Sequence, residues 1–362
     1  MHQISWERYP DNPIMTPSGD STELFIGSPT VILLRDTFRM YYASSDSSGR
    51  GWIRYAYSTD GIHWEKFSIP VLEPDDSSRD GKFLDTPEII HDDGGFKLYY
   101  FGDTDNNPQG GSIGIAISSD GIHWSKPLKQ PVLNPGQPGE WDGLFIESPS
   151  VVYDSSNHTY FMYYSGVDST WRVRIGGAFS TDGINWSKFP ENPILTEGAP
   201  WEWDGFSVAT PSVIKRDTLF EMWYCGASVR DFMEDGRIDT IWIGYATSTD
   251  GIHWRKFDGN PLFGTYTPPF KPEEIRGPWA PDVVFISGQG EFKMWYETAY
   301  GFGLATSRTT FTGERNFEIE DTLEIYSING RKLDRIKESI LIILKVLTKD
   351  GAIKFIPTFG RK

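Results

Sequence analysis

Two carboxylic acids, Asp85 and Glu147, occupy corresponding places in a repeating sequence frame where the other copies carry Gly27, Ala209 and Trp279. Each of these five residues stands two before a proline, in Gly27-Ser28-Pro29, Asp85-Thr86-Pro87, Glu147-Ser148-Pro149, Ala209-Thr210-Pro211 and Trp279-Ala280-Pro281. A position that varies while its surroundings repeat is a candidate for chemistry, because a repeated residue serves the frame. Two carboxyls that face one cavity, one kept protonated and one ionised, form the acid and base pair that cleavage of a glycosidic bond requires.

The frame itself is set by a loop that recurs four times at a period of about 60 residues. Its copies are Ser58-Thr59-Asp60-Gly61-Ile62-His63-Trp64, Ser118-Ser119-Asp120-Gly121-Ile122-His123-Trp124, Ser180-Thr181-Asp182-Gly183-Ile184-Asn185-Trp186 and Ser248-Thr249-Asp250-Gly251-Ile252-His253-Trp254. Asp-Gly between alternating runs is a hairpin signal. Upstream of each loop lie the proline-containing run and an aromatic run, such as Met162-Tyr163-Tyr164 or Met294-Trp295-Tyr296. Four strands per unit and five units give an all-β chain, a five-bladed β-propeller. The fifth unit lacks its loop, and Ile4 to Ile14 align without a gap on Ile184 to Ile194. Residues 4–9 are therefore expected to complete blade 5 and close the ring, which removes free sheet edges. Residues 1–311 are read as the propeller, and 312–362 as a small C-terminal β extension with an Asn329-Gly330 turn.

Tracing the strands outward from the axis puts the Asp-Gly loops on the face away from the starts of the inner strands. Their Ser, Asp and Trp are expected to brace turns and pack between blades, and His63, His123 and His253 to be loop surface. Trp141-Asp142-Gly143 and Trp203-Asp204-Gly205 recur in equivalent places and read as structural turns. The opposite face carries the variable positions. Its rim is expected to hold Asp103, Asp168, Arg172, Arg174 and Arg230 near the funnel, and Trp279 offers an aromatic plane for a sugar ring.

These residues resemble the five-bladed glycoside hydrolases of families 32, 43 and 68 and their relatives. Glu147-Ser148-Pro149 is similar to their Glu-x-Pro acid motif, Asp85-Thr86-Pro87 to their Asp-Pro motif, and Trp279-Ala280-Pro281-Asp282 to a family 43 motif. The resemblance implies Glu147 as general acid and Asp85 as the carboxylate that orients substrate and tunes that acid. The third carboxylate of those families, the base or nucleophile at the start of the first blade, is missing where Gly27 stands; Asp20, Glu23 and Asp282 are the substitutes available. No cofactor is called for, although the family 43 likeness leaves room for an axial divalent cation such as calcium. The C-terminal extension resembles a type IX secretion sorting domain, which implies an extracellular or cell-surface protein whose leader is absent from this chain.

Composition narrows the partners. The formal net charge is −16, so the field repels phosphate backbones and nucleic-acid binding is excluded as a reading. The longest apolar run, Ile340 to Leu344, is far below the roughly 20 residues of a membrane-spanning helix, so no membrane insertion is expected. The single cysteine, Cys225, lies in an apolar run and reads as a small buried hydrophobe. Carbohydrate is the expected partner, with a glycosidase leading, a binding propeller that lost its base second, and a sialidase-like enzyme third.

Overall fold

The computed structural model describes residues 5–75, 80–103, 110–228, 240–265 and 277–308, together with the backbone of two strands at 341–347 and 353–359. The chain enters as β1 (Glu7–Arg8). Blade 1 is β2 (Phe25–Leu34), β3 (Thr37–Ser45), β4 (Gly51–Ser58) and β5 (Glu65–Lys66). Blade 2 is β6 (Phe83–Asp92), β7 (Gly95–Asp103) and β8 (Ser112–Ser118), with Ser125 bridging Ile117 in place of a fourth strand. Blade 3 is β9 (Phe145–Asp154), β10 (Thr159–Val167), β11 (Val173–Ser180) and β12 (Ser187–Lys188). In blade 4, β13 (Ser207–Arg216), β14 (Leu219–Ala227), β15 (Ile241–Ser248) and β16 (Arg255–Lys256) are joined by β17 (Phe263–Gly264), which pairs with β15.

Blade 5 is β18 (Trp279–Ile286), β19 (Glu291–Thr298) and β20 (Gly301–Arg308), and its fourth strand is β1, where Glu7 pairs with Thr306 and Arg8 with Ala305. The N-terminus therefore closes the ring as its likeness to residues 184–194 predicts. The chain divides into two compact units, His2–Thr310 and Phe311–Lys362, and in the second β21 (Leu341–Leu347) pairs antiparallel with β22 (Ile353–Phe359).

Five apolar clusters fill the gaps between neighbouring blades. The loop tryptophan of each blade stands edge-on to a second-strand aromatic of a neighbour: Trp64 on Trp295, Trp124 on Tyr41, Trp186 on Tyr99 and Trp254 on Tyr163. Trp6 completes the set on Trp223, with ring centroids 6.1 Å apart. Within the first loop Asp60 accepts the Ile62 and His63 amides at 2.8 and 2.9 Å, and Gly61 turns at φ +76°, which suits a residue without Cβ. The loop histidines bond the aspartate of their own turn and are exposed. These loops hold the propeller together; the four repeated copies do the same work.

A second ring of bonds lies on the axis. The residue after each inner-strand proline accepts the next blade's amide, Thr30 from Ile89, Glu88 from Val151, Ser150 from Val213, Ser212 from Val283 and Asp282 from Val31. The cycle closes between blades 5 and 1. Just before it, each inner strand bulges, and the residue preceding the proline takes a left-handed φ of 40–51° at Ser28, Thr86, Ser148, Thr210 and Ala280. For residues with a Cβ this conformation is costly and is held only by the surrounding structure.

Candidate functional site

The bulge level separates two groups of carboxylates in the ring of blades. Above it, the variable residues Gly27, Asp85, Glu147, Ala209 and Trp279 pair across their blades with Ala43, Phe101, Ser165, Cys225 and Glu297. Those partners follow the aromatic pair of each second strand and vary just as the inner-strand residues do. Glu297 is a candidate that inner-strand reading missed, and the same rule of a variable position in a repeated frame would have found it.

Glu297 reaches from blade 5 toward blade 1 and accepts the Ser28 amide at 3.0 Å. A Cβ on Gly27 would stand 2.7 Å from its Oε2, closer than side chains approach, so the glycine clears the space that the carboxylate fills. The Ser28 side chain also favours the ionised form of Asp85, which accepts the Thr86 amide at 2.7 Å. Three carboxylates, from blades 2, 3 and 5, thus share the funnel. Each is set deep but keeps partial access to solvent.

Their electrostatics separate their roles. Burial raises the Glu147 carboxyl to about 7, with the Asp85 charge adding to the rise, and nothing among the described residues donates a bond to it. Glu297 is raised to about 7 by the same two causes, but its bond from the Ser28 amide favours the ionised form. Asp85 is raised by burial against the pull of Thr86 and Ser28. Among the described residues no lysine or arginine acts on any of the three.

The other predicted site residues go elsewhere. Glu23 is 1% exposed and accepts from the Ser18 amide, Tyr42 Oη at 2.7 Å and Lys66 at 3.0 Å. Asp80 with Tyr100 and Lys126, Asp142 with Tyr164 and Lys188, and Asp204 with Tyr224 and Lys256 repeat this clasp, so Glu23 is its blade 1 copy and not a funnel base. Asp20 is tied to Ser18, Thr22 and Arg54, bonds that lower it to about 2. Asp282 lies below the bulge in the axial ring, where Glu88 is its carboxylate neighbour and both are raised by burial. There the oxygens of Glu88 are engaged by Val151, Ser150 and Thr30. A cavity of about 620 Å³ opens on this lower side, lined by Glu88, Asp282 and the far ends of the inner strands, away from the funnel trio.

On the rim, Arg174 grips Glu197 at 2.7 and 2.8 Å and Asp168 at 3.3 Å, and Arg172 reaches Glu197 at 3.1 Å. Asp103 ends β7 opposite Phe83. Trp279 is partly buried against the cluster between blades 4 and 5. Arg230 lies outside the described residues. Cys225 is 1% exposed, and burial pushes its thiol up to about 12, consistent with a packing role. Among the described residues no three His, Cys, Asp or Glu side chains converge as a metal site needs.

A family model described as beta-1,4-mannooligosaccharide phosphorylase, of glycoside hydrolase family 130, matches residues 148–240. It covers blade 3 from Ser148, the residue after Glu147, onward and part of blade 4. An uncharacterized protein of Mycobacterium tuberculosis is 32% identical over 188 residues, 51% of this chain and 60% of its own. A 1,2-beta-oligomannan phosphorylase of Thermoanaerobacter sp. is 26% identical over 181 residues, 46% of this chain and 57% of its own. The chain spans less than two thirds of the length of these curated relatives. A solved structure from work on the GH130 family of mannoside phosphorylases, which contains hydrolases of beta-1,2 mannosidic linkages, superposes at TM-score 0.66. It is 19% identical, covers 84% of this chain and 93% of its own, and shares the fold. The matching family model is thus of family 130, a different family from 32, 43 and 68, whose motifs the sequence resembles.

Proposed function

We propose that this protein cleaves glycosidic bonds in oligo- or polysaccharides, with Glu147 as general acid, Glu297 as the carboxylate base or nucleophile, and Asp85 orienting substrate and tuning both. The observation that carries the reading is the funnel trio, in which Gly27 makes room for Glu297 at the place where a third carboxylate is needed. Glu147, with no donors, favours the protonated form that an acid needs. Glu297 is raised as well, but its bond from the Ser28 amide offsets part of that rise and supports the ionised form that a base needs. With both groups near 7, each can give or take a proton at neutral pH.

An acid and a base that share the funnel can activate a water for attack on the glycosidic bond. Hydrolysis is therefore the first reading. Phosphorolysis is the second, favoured by the description of the matched family, and β-linked mannosides are the first substrates to try. The test is turnover of β-mannooligosaccharides and aryl glycosides with and without inorganic phosphate, by wild type and Glu147→Gln. Hydrolysis predicts phosphate-independent release of reducing sugar that falls by about 10²–10⁴-fold in the variant. Formation of a sugar 1-phosphate only with phosphate present would establish the second reading, and binding without turnover would make the protein a binding propeller.

A further inference from the structure

The rim turn of blade 3 repeats that of blade 1 with one change. In blade 1, Asp46 Oδ1 accepts the Ser48 and Arg50 amides at 2.8 and 3.0 Å, and Gly49 sits at φ +77°. In blade 3, Asp168 Oδ1 accepts the Thr170 and Arg172 amides at 2.7 and 3.3 Å, and the left-handed residue is Trp171 at φ +64°. The backbone closures match as well, Gly49 to Asp46 at 3.2 Å and Trp171 to Asp168 at 3.0 Å. Blade 1 uses the residue that this conformation suits. Blade 3 places a bulky indole in a conformation that disfavours it, and the indole gains little burial in return, since Trp171 is 62% exposed.

The turn is fixed from below. Arg174 joins Asp168 to Glu197, so the rim turn is tied to the loop that enters blade 4, and that loop carries Trp201 at 85% exposure. Trp171 also meets Phe145 edge-on at 6.1 Å, and Phe145 begins the strand that presents Glu147. Strain without a packing return, on the catalytic face and beside the acid's strand, points to a ligand that uses the plane.

We propose that Trp171 is a stacking platform for a sugar ring of an extended oligosaccharide chain, with Trp201 on the tied loop as a further plane, so that the substrate is a chain and not a disaccharide. Sugar C–H faces pack on exposed aromatic planes, and a fixed indole binds without first being ordered. The inference rests on the glycosidic reading of the funnel, and its test separates the two.

The test uses Trp171→Gly, which restores the residue of blade 1, and Trp171→Phe, which keeps a plane. Manno-, xylo- and cello-oligosaccharides of two to six units and matching aryl glycosides serve as probes for turnover and for calorimetric binding. Expected for Trp171→Gly is a melting temperature equal to or above wild type, with a rise of about ten-fold in KM or Kd for the longer chains and little change for aryl glycosides. Trp171→Phe should recover most of the loss. A fall in melting temperature with unchanged chain binding, or an equal loss on short and long substrates, overturns the platform. A wild type that binds none of these chains overturns it too, whereas chain binding that needs Trp171 without any turnover leaves the platform standing and removes the catalytic reading alone.

Discussion

Two groups of carboxylates lie on either side of the inner-strand bulge, Glu88 and Asp282 below it and Asp85, Glu147 and the second-strand Glu297 above it, and they differ in what holds them. Below the bulge, Glu88 and Asp282 accept the amides of Val151 and Val31 in a ring that joins every blade to the next. Above it, Glu147 accepts no bond among the described residues, while Asp85 and Glu297 are bonded at Ser28 and Thr86. All are raised by burial, so a raised carboxyl by itself does not mark a catalytic group. What sets Glu147 apart, as the proposed acid, is that no described residue donates a bond to it.

This contrast can be broken from either side. The largest effect is expected of Glu147→Gln, which removes the acid's proton and leaves the fold intact. Next is Gly27→Ala, whose methyl would stand 2.7 Å from Glu297 and displace it, lowering kcat by about 10²-fold with a small change in melting temperature. Unchanged kcat in this variant would remove Glu297 from the chemistry. Below the bulge the pattern should reverse. Glu88→Ala strands the Val151 amide and should lower stability by about 1–3 kcal/mol in chemical denaturation, and a variant as stable as wild type would show that the ring is dispensable.

The pH dependence sharpens the comparison further. Glu297 is raised to about 7, so the native state holds its proton more tightly than the unfolded chain does. Its ionisation therefore destabilises the fold: the penalty is absent below the free glutamate value of about 4.3 and grows until the pH passes about 7. Glu297→Gln should melt level with wild type at acid pH and above it once the pH exceeds the raised value. The smallest effect belongs to Asp85→Asn, which removes the charge that helps raise Glu147 and should move the alkaline limb of the kcat/KM profile down by about one unit. No movement would place Asp85 outside the acid's electrostatic reach.

Much of the architecture was legible because a propeller repeats itself along the chain. The Asp-Gly loops, the proline runs and the likeness of residues 4–14 to 184–194 define five blades and the strand that closes them. The same repetition marked Asp85 and Glu147 as exceptions. It also held the key to Glu23, since an acid bonded to the second-strand tyrosine and the fourth-strand lysine recurs in blades 2, 3 and 4, although the acid changes type and the spacing shifts.

The convergence of the site was decided only in three dimensions. Ser28 and Glu297 are 269 residues apart, and nothing local in the sequence says that ring closure sets them 3.0 Å from each other. Read alone, Gly27 is a lost carboxylate. In the closed ring it is the space into which a carboxylate from the last blade extends, because packing, and not sequence order, decides which side chains share a cavity.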